Sequence, residues 1–551
     1  MIRKIKAILI FIYNLLILKF KVLFKREEFV FKKSLHNKDL FCNKYDYKIF
    51  GESVSSWGNL NYFNFKLDPR SNVEIKNTLS CLIRPYSYRN FDIKYIWEAS
   101  RFQFIPYTAN STQLKEVNEL IKSFITSNPV GFGPNWMCAM EVSIRAINIC
   151  EYVDLFNEED IITDKDRTLY SKFIYEHFLF IYYNLEKNVQ GYSGNHYLSN
   201  LIGLIIISNR FIPSSFDKKI IKYAISELDK ELNIQFNNDG SYFENSTMYH
   251  RLATEMIFFM LEILSNFEDS LTNDYIKRFY SLTRDVELFN TSIYKEILIK
   301  SAKFMSDVSS PNGRLVIIGD NDSGRFIDLD YSGNYDDMSA SYLLQNIYQK
   351  NIMVNNDNDI VVSTTNIFNT DCDPNNINKV FYEFDLEKYS IIEYSDFGVY
   401  IFKSKNLFLT IRSNYSTRKM VHAHEDLLSI NLVINGKKLL WDPGMPTYTR
   451  DRKLRDEYRF SDIHNSPLVS DLKGLNLKTF EFKLVKRPLF SKNDITNNRY
   501  QFGLEKDGVL VIRTIEFYKN GLLIEDNFSE KSYPYLILNK SISPKYGVVL
   551  K

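Results

Sequence analysis

From about Asp92 to about Lys350, apolar residues recur every three or four positions, as in MEVSIRAINICEYVDLF, HYLSNLIGLIIIS and TEMIFFMLEILSNF. That period is the mark of amphipathic helices. Polar stretches carrying Asn, Gly, Pro and Ser, such as NPVGFGPN and NNDGSYFENS, interrupt it where connections are needed. The spacing predicts a series of helical hairpins, which a bundle, a solenoid or a toroid satisfies equally. After about Phe381 the period shortens. SIIEYSDFGVYIFKS, LFLTIRSN, LLSINLVINGKKLLW and GVLVIRTIEFY are strand-like, and Asn435-Gly436 between two apolar runs marks a hairpin. The chain switches from helix to strand near 360–380, so an antiparallel β-sandwich is expected after the helices. Three regions follow: an N-terminal extension over 1–60, a helical domain over 61–370 and a sandwich over 371–551.

At 551 residues, the length agrees with more than one hydrophobic core. A net charge of +2 argues against a nucleic-acid protein with a global basic field, but leaves room for a local basic groove. The five cysteines, Cys42, Cys81, Cys138, Cys150 and Cys372, form no CxxC, so neither a disulfide framework nor a thiolate zinc motif is indicated. Residues 1–26 combine a basic start, an apolar run from Ala7 to Leu18 and further lysines. The run is short for a span, and no small-residue cleavage site follows. An interfacial helix, an uncleaved anchor and an ordinary packing helix all remain open, with peripheral membrane contact through residues 1–26 as the expectation.

The seven histidines locate the chemistry. His36 and His177 lie in ordinary surroundings; His196, His250, His422, His424 and His464 each stand beside Asn, Tyr, Asp or Glu. Clustered imidazoles bind metal or move protons more often than isolated ones. Gly194-Asn195-His196-Tyr197 opens an apolar helix, where donors could meet an anion, although Asn195 could equally be an N-cap. Asp239 to Ser246 leads to Tyr249-His250 and another helix, with Ser246 or Asn245 as cap and Tyr249 near the first turn. A phenol placed there can donate a proton, or simply pack.

The third cluster joins His422-Ala423-His424-Glu425-Asp426, Trp441-Asp442 and His464-Asn465. In an extended segment His422 and His424 point to one side. His424, Asp442 and His464 could form a two-imidazole, one-carboxylate zinc set. A simple hairpin at Asn435-Gly436 pairs Asp442 with Ser429, roughly 17 Å of strand from His424, so this reading requires residues 422–426 to fold back as a loop. Arg450, Arg452, Lys453, Arg455 and Arg459, with Arg412, Arg418 and Lys419, flank the histidines and suit either a solvated face or an anionic-substrate groove.

Taken together, these motifs resemble the heparinase II/III-like polysaccharide lyases. The matching stretches are Trp97-Glu98 with Arg101, Asn135-Trp136 with Glu141 and Arg145, GNHYLSNLIGL, DGSYFENSTMYH, IGDNDSGRF, HAHEDLLSINL, LLWDPGMPTY and RFSDIHNSP, in the family's order over roughly residues 90–470. The resemblance implies an incomplete (α/α) toroid followed by an antiparallel β-sandwich, with the active cleft between them. It implies that Asn195 and His196 neutralise a uronate carboxylate, that Tyr249 is the acid at the leaving oxygen, and that His422 is the other acid/base. Trp136, Arg145, Glu244, His250, Tyr448 and Arg459 become candidates for substrate binding, and His424, Asp442 and His464 for a structural zinc.

The implied activity is β-elimination on a uronate-containing acidic polysaccharide. Removing the proton α to a carboxylate builds charge that fixed donors must neutralise, and Asn, His and Tyr suit that task. A hydrolase would instead need paired carboxylic acids, for which Asp239, Glu244 or Asp320 are the candidates. A non-catalytic glycan-binding member of a polysaccharide-assembly system is the other alternative. Without a clear cleavable signal, a capsule or exopolysaccharide setting is expected. The location would then be the cell envelope, periplasm or cell surface, with the cytoplasmic side of the membrane as the alternative.

Overall fold

A computed structural model describes residues 2–24, 29–41, 48–49, 52–53, 63–87, 91–265, 291–328, 343–344, 347, 379–415, 418, 422–447, 450–460, 463–467, 493–496, 498–506 and 509–528. They fall into two compact units. One comprises 1–234, 255–294 and 325–335; the other comprises 235–254, 295–324 and 336–551. The boundary is therefore not one cut in the chain. Part of the expected 61–370 helical region groups with the sandwich.

The first unit is helical: α1 (Ile2–Phe24), α2 (Ile93–Ser100), α3 (Leu114–Ser127), α4 (Ala139–Glu158), α5 (Asp164–Tyr183), α6 (Asn195–Ile207) and most of α7 (Ser215–Gln235). The α4 helix is buried on every side, with apolar Val142, Ile144, Ile147, Ile149 and Val153 interleaved with buried Glu141, Glu151 and Asp154. It runs against α6 at Gly203, where a Cβ would stand 2.7 Å from that of Ser143, so only glycine permits this approach. Thr163 and Asp166 form a reciprocal capping box that starts α5. Charges buried in this core are paired: Arg101 is bidentate to Glu141 at 2.7 and 2.8 Å, and Arg210 reaches both Glu151 and Asp154.

The α1 helix buries Leu15 and Leu18, sets Phe11 edge-on to Phe180, and places the Lys21 ammonium 3.4 Å from the centre of the Phe216 ring. Leu9, Tyr13, Leu16, Phe20 and Leu23 stay exposed, at spacings of three and four that fall on one face. Among the described residues, no helix is long and apolar enough to cross a membrane.

The second unit holds two five-stranded antiparallel sheets. With β1 (Lys379–Glu383), β2 (Ser390–Tyr394), β3 (Val399–Lys403), β4 (Leu407–Arg412), β5 (Ile430–Ile434), β6 (Lys437–Leu440), β7 (Asn493–Thr496), β8 (Arg499–Lys506), β9 (Val509–Tyr518) and β10 (Gly521–Phe528), their orders are β6-β5-β4-β3-β2 and β7-β8-β9-β10-β1. The sheets face each other through a shared apolar layer. Phe402 meets Tyr500 at 4.8 Å and Phe517 at 5.2 Å, and Tyr400 meets Phe502 at 5.2 Å. This is the expected sandwich, and β5–β6 turns at Asn435-Gly436 as the dipeptide signalled. Two earlier stretches belong to the same unit: the start of α8 (Thr247–Ser265) with the loop before it, and most of α9 (Thr291–Asp307) with the loop that follows.

Candidate active site

The polar centre of the second unit gathers three distant stretches of chain. Ser246 caps α8, its Oγ accepting from the amides of Met248 and Tyr249, both at 3.2 Å. Tyr249 therefore sits in the first turn. The Ser246 hydroxyl also donates to the Asp320 carbonyl at 2.7 Å, Thr247 Oγ1 donates to the Val316 carbonyl at 2.7 Å, and the Asp320 amide donates to the His422 carbonyl at 2.9 Å. Gly319 (φ +71°) lies where these backbones meet, and a Cβ there would stand 2.4 Å from the Asn245 carbonyl oxygen and 2.5 Å from that of His422. Glycine is required on both counts.

On this platform the rings of Tyr249 and His422 stack, with centroids 3.6 Å apart and planes 13° from parallel. A different carboxylate holds each. The Tyr249 hydroxyl donates to Asp322 Oδ2 at 2.8 Å, and His422 Nδ1 lies 2.9 Å from Asp320 Oδ2. The other Asp320 oxygen is 2.9 Å from His424 Nε2. Burial would raise the pKa of Asp320, but the neighbouring Arg459 guanidinium and the two imidazoles hold it below the ordinary carboxylate range. An ionised carboxylate only accepts, so the protons lie on His422 Nδ1 and His424 Nε2. The opposite edge of the His422 ring presents Nε2. Glu244, fully buried, stands 3.8 Å from His422 Nε2.

Residues 422–426 fold back as the loop that the zinc reading required. Glu425 and Leu428 donate their amides to the carbonyls of Arg459 and Arg412, and Leu428 takes φ +61°. From β9, Arg513 pairs with Asp526 and donates to the carbonyls of Leu428 and Asn465, each at 2.6 Å, which pins both histidine loops to the sandwich. His464 Nδ1 lies 2.7 Å from Asp442 Oδ2, and the His424 and His464 rings are 5.2 Å apart. Among the described residues, His424 Nδ1 and His464 Nε2 are buried nitrogens without a hydrogen-bond partner. They are the donors in this cluster that a divalent metal would use. Asp442 here orients His464 instead of reaching toward His424, a carboxylate–histidine pairing common beside metals.

The remaining candidates divide by burial. In the first unit, Trp136 is interior, donating Nε1–H to the Asn128 carbonyl at 3.0 Å and packed on His177 and Phe180. Arg145 is fully buried, its Nε 3.3 Å from His177 Nε2. In the second unit, His250 is closed in against Phe304 with Nε2 3.2 Å from the Ser301 carbonyl, and burial lowers its pKa to about 3. Arg459 is fully buried and donates to the Ala423 carbonyl at 3.0 Å. These four, expected to bind substrate, are all buried, as Tyr249 and His422 are. Tyr448 and Lys419 lie outside the described residues.

Asn195 is the first residue of α6, and Gly194, not Asn195, is its N-cap. His196 follows with its side chain about half exposed at 48%, and its Nδ1 lies 2.9 Å from Glu186 Oε1 and 3.6 Å from Cys138 Sγ. Burial works against the imidazolium here, but the Glu186 carboxylate and the Cys138 sulfur outweigh it, and the His196 pKa is raised well above its usual value. Sequence reasoning missed Asp322, Glu186, Cys138 and Arg513. It had named Asp320 only as a hydrolase candidate. The available signal for the two aspartates was IGDNDSG, with carboxylates two residues apart in a glycine-bounded loop.

Two family models match the chain: the heparinase II/III N-terminus over residues 102–291 and the heparinase II/III-like C-terminal region over residues 388–533. No curated protein sequence matches significantly. Among solved structures, a heparinase III gene product is similar at 17% identity and TM-score 0.48, covering 80% of this chain and 66% of its own. A second heparinase III structure is similar at 14% identity and TM-score 0.47, covering 86% and 64%. Heparan sulfate lyase HepC from Pedobacter heparinus is similar at 18% identity and TM-score 0.40, covering 79% and 62%. The chain thus spans less than two thirds of the length of each of these structures.

Proposed function

Because the chain belongs to the heparinase II/III-like family, we propose that it is a polysaccharide lyase that cleaves a uronate-containing acidic glycan by β-elimination. The observation that carries the reading is the Tyr249–His422 stack, with each polar edge fixed by its own aspartate. With Nδ1 held by Asp320, His422 has Nε2 as the atom that takes the proton α to the uronate carboxylate. Tyr249, aimed by Asp322, gives its proton to the departing glycosidic oxygen. Asn195 and His196 are assigned to the substrate carboxylate on the likeness of GNHYLSNLIGL. Two of the three carboxylates a hydrolase could use are engaged elsewhere: Asp239 accepts from the Ser241 amide and hydroxyl at 3.0 and 2.6 Å, and Asp320 serves two imidazoles.

The test is ultraviolet absorbance during incubation with a panel of uronate polysaccharides. Rising absorbance from a C4–C5 unsaturated uronate, reduced about 100-fold or more in Tyr249→Phe, supports elimination with Tyr249 in the chemistry. Binding without product would favour a glycan-binding role, and saturated new ends would favour hydrolysis.

A structural zinc on His424 Nδ1 and His464 Nε2 belongs to the same proposal. When bound, it would tie the loop that carries His422 to the loop of His464, which Asp442 orients. Metal content that falls in His424→Ala supports it; protein without metal in both forms sinks it.

The outer face of α1 supports peripheral membrane attachment in a capsule- or exopolysaccharide-producing setting. Its exposed stripe is flanked by Lys6, Lys19 and Lys21, and the helix contains no acidic residue. Co-sedimentation with anionic vesicles, lost when Leu9, Leu16 and Phe20 become serine, is the expected result. Retention by neither anionic nor neutral vesicles would exclude it.

A further inference from the structure

We propose that Cys138, Glu186 and His196 form a divalent-metal site in the helical unit, separate from the His424–His464 pair and independent of the lyase reading. The three lie far apart in the sequence and match no local ligand motif, yet their donor atoms converge. Cys138 Sγ is 3.6 Å from Glu186 Oε1 and 3.6 Å from His196 Nδ1, and His196 Nδ1 is 2.9 Å from Glu186 Oε1. Among the described residues this is the group of three that brings its ligand atoms within 4.8 Å of one another.

The two sulfur separations match the edges of a tetrahedron around zinc, and the imidazole–carboxylate separation is shorter than its edge by a few tenths of an ångström. Zn–S of about 2.3 Å with Zn–N or Zn–O of about 2.0–2.1 Å places sulfur roughly 3.5 Å from each light atom and the light atoms roughly 3.3 Å apart. No large movement is needed for a metal to enter.

The surroundings are built for it as well. Cys138 is the residue that opens α4, and His196 is the second residue of α6, two helices already locked together at Gly203. Glu186 is fixed on its other oxygen by the Met140 amide at 2.8 Å and the Asn200 side-chain amide at 3.3 Å, and its own amide donates to Asn200 Oδ1 at 2.8 Å. That leaves Oε1 directed at the thiol and the imidazole, with its outer hydrogen bonds supplying the support that metal ligands usually have.

A thiolate, an imidazole and a carboxylate select zinc or cobalt over magnesium or calcium. Three protein ligands leave a fourth position for water or another oxygen ligand. The half-exposed face of His196 gives the ion its route in. Binding displaces the thiol proton of Cys138 and any proton on His196 Nδ1, both released to solvent. His196 Nε2 takes no part in this coordination.

Cobalt distinguishes this site from the histidine pair, because only a cysteine ligand gives a thiolate-to-cobalt charge-transfer band. The full chain, stripped with chelator and reduced, is titrated with Co2+. The expected result is one equivalent of that band, bleached by one equivalent of Zn2+. It should be absent in Cys138→Ser and weakened in Glu186→Gln, while the helical circular dichroism stays unchanged. Loss of a ligand should weaken zinc affinity by more than about tenfold, since even outer-shell changes cost that much. If Cys138→Ser misfolds, His196→Gln serves in its place. The proposal is overturned by a native protein that gives no charge-transfer band, or by a band of equal intensity in Cys138→Ser. Because the readout is spectroscopic, failure here leaves the lyase reading standing, and the reverse also holds.

Discussion

Asp320 is the residue through which the site's imidazoles are set. One oxygen meets His422 Nδ1 and the other His424 Nε2. Asp320→Asn keeps the shape but offers one acceptor where two are needed, so at least one ring turns or changes tautomer. Turnover should fall by about 100-fold or more, with the melting temperature moving far less than in a core truncation. Equal loss of both would make the residue merely structural. The buried histidines give a second test. Burial lowers the pKa of His250 and of His36 to about 3, so both are neutral when folded and titrate near 6.5 when unfolded. Their contribution to stability is complete above about pH 6.5 and is lost as the pH falls toward 3, at about 1.4 kcal/mol per pH unit for each ring. Denaturation midpoints should drop through that window, less steeply in His250→Gln than in the parent. Identical slopes would remove His250 from the account.

At the scale of elements, the loop carrying Gly319 decides whether the three stretches meet. Gly319→Ala puts a methyl against two backbone carbonyls and asks alanine for φ +71°, costing about 1–3 kcal/mol. Activity should fall further than stability, because the displaced segments hold Tyr249 and His422; urea melts beside kcat/KM would show the difference. This is also where reading from sequence succeeded and where it stopped. Helix starts, the Asn435-Gly436 hairpin and the start of α8 at Ser246 are local, written in caps, turns and periods. Asp320 and Asp322 pair with residues more than seventy positions away, and nothing local announces it. Trp136 and Arg145 illustrate the same limit: their residue types suit substrate contact, and only packing shows how deeply they are buried.

At the scale of the molecule, the second unit is stitched from pieces that a cut in the chain would separate. A fragment of 371–551 would hold His422, His424 and His464 but lack Tyr249, Asp320 and Asp322. Asp320, the counter-charge for two buried imidazoles and Arg459, would be missing. Such a fragment should be poorly soluble or unfold without a sharp transition, whereas the full chain should melt cooperatively. Scanning calorimetry of the two would decide it.

The pairing of β1 with β10 carries a consequence in time. The first strand of the sandwich finds its neighbour only in the last, Val380 opposite Ile524 and Tyr382 opposite Leu522. A ribosome must deliver residues through 528 before that sheet can close, and closing so long a loop is slow. Arg513, which pins the loops bearing His424 and His464, arrives just ahead of that point. Until then the loops that carry the histidines lack the guanidinium that holds them, so the candidate site assembles late.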